Sequence, residues 1–112
     1  MQFIFSGDAY QVARVTGPQH NLLGISLGDG TDAVDVVALP IRAGDAARID
    51  RNDVLAQVMA GLQTVNHTLG KRYAISRILF VPSDTPSPSV YALLTVELIQ
   101  RIDQQGEFLV FD

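Results

Sequence analysis

The sequence has 112 residues, 47% hydrophobic and 18% charged, with a formal net charge of −4 and no cysteine. That length suits one domain with its own hydrophobic core, and the composition is that of a folded chain. Without cysteine there are no disulfides and no thiolate-based metal or nucleophile chemistry, and the acidic balance argues against nucleic acid, whose phosphates demand clustered Lys and Arg. A basic protein partner would be attracted instead, because opposite fields speed encounter. Seven arginines against one lysine point to a GC-rich coding bias and a bacterial source. The apolar run at the N-terminus stops after Phe5, and no stretch reaches the length of a membrane span. The expectation is a cytoplasmic protein without a membrane partner.

Residues 2–5 read as a short apolar strand, followed by a turn at Ser6-Gly7-Asp8. Residues 9–15 resume as a strand with imperfect alternation, and residues 16–20 break it. Residues 21–27 and 33–39 are apolar runs on either side of Gly28-Asp29-Gly30-Thr31-Asp32. An Asp-Gly pair in that setting signals a hairpin, since both central positions of a type I′ turn need positive φ. An antiparallel meander of these strands is therefore expected, with a bulge at Gly24 and an end at Pro40.

Asp50, Asn52 or Asp53 can cap a helix that runs to Leu69. Leu55, Val58, Met59, Leu62, Val65 and Leu69 form its apolar stripe, and Gly70 stands where a left-handed C-cap is wanted. Residues 71–81 read as a strand, apolar on both faces from Ile78 to Val81 as an interior strand would be. Ser87-Pro88 reads as the start of a second helix, buried along Val90, Tyr91, Leu94, Leu98 and Ile102. Residues 108–111 form a last strand, with a parallel crossover expected around the second helix. The predicted architecture is one α+β domain over residues 1–112: a single mixed, mostly antiparallel sheet in the order ββββ-α-β-α-β, with both helices packed on one face.

No residue cluster reads as a catalytic or metal site, and no cofactor is implied. Asp29, Asp32 and Asp35 lack the spacing and terminal Glu of a calcium loop, so they read as solvated charges at a turn. His20 and His67 lie in different elements with no adjacent nucleophile. Gly24, Gly28 and Gly30 match no phosphate-binding pattern. Lys71, Arg72, Arg77 and Arg101 are too few for a nucleic-acid footprint. The loop over residues 82–88 holds Asp84 and Thr85 between a strand end and a helix start, a favoured place for ligands. Helix and turn capping explains the same residue types.

Three functional classes follow. The first is a protein-binding module of the inhibitor, immunity-protein or chaperone kind, not an enzyme. It would act through Asp29, Asp32, Asp35, Asp84 and Thr85 and through an open sheet face bearing Tyr10 or Tyr73. The second is a small enzyme or ligand-binding domain using His20, Asp84 and Thr85, with His67 as a lesser candidate and a site assembled between subunits. The third is an assembly subunit or homodimer that pairs through residues 108–111 at a sheet edge.

Overall fold

The structure, a computed structural model, describes residues 1–17, 19–31 and 33–111. Its elements are β1 (Gln2–Ser6), β2 (Ala9–Thr16), β3 (Gln19–Gly28), β4 (Asp35–Ala38), α1 (Arg51–Leu69), β5 (Ala74–Phe80), α2 (Val90–Asp103) and β6 (Leu109–Phe111). The expected α+β class holds: one mixed six-stranded sheet in the order β4-β5-β3-β2-β1-β6, with the helices packed against it. No described helix is long and apolar enough to cross a membrane.

The pairing differs from the expected meander. β1, β2 and β3 are antiparallel neighbours, but the next strand beside β3 is β5, and β4 lies parallel to β5 at the outer edge. The turn chemistry at Asp29 is local, since its carboxylate takes both the Thr31 amide and the Thr31 hydroxyl, and Gly30 supplies a φ of 86°. Those bonds close a turn without setting which strand follows. The parallel crossover also falls elsewhere, around α1 between β4 and β5, while β6 runs parallel to β1 at the opposite edge. β5, with its apolar run Ile78-Leu79-Phe80, lies inside the sheet between β3 and β4.

Strand side chains alternate between faces. Val12, Leu23 and Phe80 form one cross-strand row, and Tyr10, Ile25, Ile78 and Val36 the next. Val12, Leu23, Ile25 and Ile78 are fully buried beneath the helices. Ile75 would point the wrong way by simple alternation. A register shift between Ser26 and Leu27 brings Ile75 opposite Leu27 and returns it to the covered side, where it is buried. The Ser76 hydroxyl donates to the carbonyls of Ser26 and Leu27 at this irregularity. The bulge expected at Gly24 is absent; Gly24 pairs regularly with Gln11 and Leu79.

α1 buries Val54, Val58, Gly61, Leu62 and Val65, whereas Met59, expected on the stripe, is exposed. Asp50 occupies the N-cap without a side-chain cap bond, and Gly70 adopts the left-handed C-cap at φ 65°. α2 buries Tyr91, Leu94, Leu98 and Ile99 against α1, β2 and β3. It starts at Val90, later than Ser87-Pro88 suggests, and Ser89 makes no side-chain cap bond. The Tyr91 amide donates instead to Gln57 Oε1 of α1 at 3.0 Å, so one helix satisfies an orphan amide of the other.

The turn from α1 into β5 depends on Asn66. Its side-chain amide donates to the Tyr73 carbonyl at 2.9 Å, and its side-chain oxygen accepts from the Tyr73 amide at 3.0 Å. This pair copies a strand partner just before β5 begins. Asn66→Ala should lower unfolding free energy by about 1–2 kcal/mol, measured by urea denaturation, because both backbone groups of Tyr73 lose their partner.

Candidate functional site

Both helices lie on one side of the sheet, and no described helix or strand covers the other. The row Ile4, Gln11, Gly24, Leu79 and Val37 runs across this bare side, fixed by the strand registers. Ile4, Leu22, Val37 and Leu79 are half-buried there without a covering layer. Gly24 is what keeps the row shallow: a Cβ on it would lie 3.1 Å from Leu79 Cβ and 3.2 Å from Gln11 Cγ. Charges border the row. Arg77 is ion-paired with Asp8, which also accepts from the Ser26 hydroxyl at 3.3 Å. Asp35 is exposed opposite Arg77 across the β4–β5 pair.

The acidic residues expected to act together are dispersed. Asp29 sits at the exposed turn, where the two Thr31 bonds hold its carboxyl below the usual range. Asp35 belongs to β4, and Asp32 lies outside the described residues. Tyr10 and Tyr73, expected on the open face, are not there. Tyr10 is opposite the buried Ile25, and its ring packs 4.6 Å from that of Phe5 and 5.1 Å from that of Phe108. Tyr73 precedes β5 and donates its hydroxyl to Asp103 of α2 at 2.8 Å. The imperfect alternation in β2 left the direction of Tyr10 open; the buried partner across the ladder settles it.

His20, Asp84 and Thr85 do come together. β5 stops pairing with β3 at the Phe80–Leu23 pair, and Pro82 has no amide to extend it. The loop after β5 replaces the missing ladder with side chains. Asp84, only 3% exposed, accepts from the Leu22 amide at 2.8 Å. The Thr85 amide donates to the His20 carbonyl at 3.2 Å, and the Thr85 hydroxyl accepts from the His20 amide at 3.3 Å. Buried Asn21 donates to the Thr85 carbonyl at 2.8 Å and to the Tyr91 hydroxyl at 3.3 Å. His20 Nε2 lies 3.6 Å from Asp84. Burial pushes the Asp84 carboxyl up, opposed by the Leu22 amide and the nearby His20 and Arg48. Burial likewise raises the Tyr91 phenol, whose bond with Asn21 opposes the shift and whose neighbour Asp84 adds to it.

Most polar groups of this cluster are engaged in holding the loop to β3. Beside it lies an open cleft of about 340 Å³, lined by Arg48, Asp53, Gln57, Pro86 and Tyr91 among others. Its lining mixes both charge signs, and no group of metal-ligating side chains occurs among the described residues. His67 is exposed in the last turn of α1, whereas His20 lies in β3 opposite Val15 of β2. Sequence reasoning missed Asn21 and Gln57. The only available signal for Asn21 was a polar residue at the head of an otherwise apolar run. Compared with family models, curated proteins and solved structures, the chain matches none.

Proposed function

We propose that this chain is a non-catalytic, cytoplasmic protein-binding module of the inhibitor, immunity-protein or chaperone kind, and that it recognises its partner with the bare side of its sheet. The observation that supports this reading is the half-buried apolar row Ile4, Leu79 and Val37 with Leu22 beside it, left without a covering layer and bordered by Asp8, Arg77 and Asp35. An apolar centre with a charged rim is the general anatomy of a recognition surface. The net charge of −4 favours a partner of basic character. The loop holding Asp84 and Thr85 buttresses β3 at one end of this surface.

Leu79→Glu places a charge beside Gly24, in the middle of the row, on a side chain outside the helix-covered core. Affinity capture from cells of the source organism should recover a protein in stoichiometric amount with the parent chain. Recovery with the variant should fall at least about tenfold, because an uncompensated charge in an interface centre costs more than ~1.4 kcal/mol. Equal recovery by both chains would remove the bare side as the binding surface. No stoichiometric protein with either would sink the reading.

A further inference from the structure

The two edges of the sheet are built differently. At the β4 edge, the Leu39 amide donates to the Phe80 carbonyl at 2.8 Å. The two-residue alternation of a parallel ladder then turns the Val36 carbonyl outward. Arg51 Nη2 of α1 donates to that carbonyl at 3.3 Å. An outward acceptor of this edge is therefore taken by a charged side chain, and Asp35 adds an exposed charge beside it. Occupied groups and charges are how natural sheets keep an edge from pairing.

Among the described residues, the β6 edge shows neither device. Leu109, Val110 and Phe111 are 52%, 68% and 55% exposed, and the three carry no charge. β6 is nevertheless fixed in place. It runs parallel to β1, and Arg101 stacks 4.2 Å above the Phe3 ring while its Nε donates to the Glu107 carbonyl at 2.7 Å. Phe108 meets Phe3 edge-on at 5.9 Å. The result is an apolar strand seated on the sheet edge, with its outer side unpaired among the described residues.

We propose that β6 is where two copies of this chain pair, antiparallel about a two-fold axis through Val110, so that one sheet continues into the other. The register makes the strand complementary to itself. Val110 faces Val110 of the second copy, and Leu109 faces Phe111, so each apolar side chain meets an apolar one without opposed like charges. The blocked β4 edge gives the assembly its closure. A head-to-tail contact of β6 with β4 would repeat into a filament, whereas β6 with β6 uses up the open edge and stops at two copies. Only three strand residues from each copy meet, so the dimer is weak and forms only at high protein concentration.

Sedimentation equilibrium on the intact chain, from roughly 10 µM to 1 mM, tests this. The parent chain should pass from monomer to dimer and no further, and Val110→Lys should raise Kd at least about tenfold by setting like charges face to face. The thermal unfolding of Val110→Lys should match the parent, since Val110 is 68% exposed. The chain has no other cysteine, so Val110→Cys should form a disulfide-linked dimer under mild oxidation. Ala38→Cys on the blocked edge should not. A parent chain that stays monomeric throughout overturns the proposal, as does a dimer indifferent to Val110→Lys or cross-linking equal at both positions.

Discussion

Gly61→Ala should destabilise this protein by about 2 kcal/mol, although the same change in the middle of an exposed helix would stabilise by up to about 1 kcal/mol. Gly61 is buried on α1 where the two helices meet. A Cβ built there would lie 2.5 Å from the Ala92 carbonyl oxygen and 3.0 Å from Ala92 Cα. These are backbone atoms of α2, so they cannot swing aside as a flexible side chain would. Relief requires the helices to separate, which loosens the contacts of Val58, Leu62 and Leu94 together. Gly61→Val should cost at least about 4 kcal/mol, because overpacking then adds to the same separation. Urea denaturation measures both. Ala56→Gly, on an exposed position of α1, serves as the opposite control and should cost about 1 kcal/mol. A stabilising Gly61→Ala would show that the helices approach less closely than described.

Asp84→Ala should cost about 2–3 kcal/mol at neutral pH, whereas Asp84→Asn should stay within about 1 kcal/mol of the parent. Alanine removes the acceptor of the Leu22 amide and leaves a hole under the loop. Asparagine keeps a side-chain oxygen in place and removes the burden of a buried charge. The pH dependence separates these effects. Burial raises the Asp84 carboxyl above its ordinary value of 3.8, so the folded state holds this proton more tightly than the unfolded one. The stabilising contribution of the protonated group is complete below 3.8 and is lost as pH rises through the raised value. Stability of Asp84→Asn relative to the parent should therefore grow over that rise and then level off. Asp103 works in the opposite direction. The Tyr73 hydroxyl and Lys71 hold its carboxyl below the ordinary range, so its contribution is present above 3.8 and disappears as pH falls through the lowered value. A difference between parent and Asp84→Asn that stays flat from pH 3 to 8 would contradict the burial of Asp84.

The helices and strands were legible because their signals are local. The stripe through Val58, Leu62 and Val65, the cap at Gly70 and the two-sided apolar run at Ile78 each announce an element within a few residues. What joins to what is not local. The Asp29–Thr31 turn satisfies its own hydrogen bonds, and nothing in it says that β4 will cross to the far side of β5. The loop cluster was half legible. Asp84 and Thr85 stood out by position, but their partners His20, Asn21 and Leu22 are more than sixty residues away. Only the early end of β5 at Phe80, beside a β3 that runs on past it, creates the need they fill. Gly61 was invisible for a related reason: a glycine inside a helical pattern reads as a propensity defect until its neighbour is known.

β1 and β6 lie side by side although nearly the whole chain separates them. Hairpins such as β1–β2 close over a few residues, but this contact must gather almost the entire sequence into one loop, at the largest entropic expense of any pairing in the sheet. It should zip up after the rest of the fold and fray before it. Because Leu109, Val110 and Phe111 are already largely solvated, such fraying uncovers little of the core. The molecule can thus spend part of its time with β1 as its rim, a transient berth for an incoming strand that opens and shuts without melting the domain.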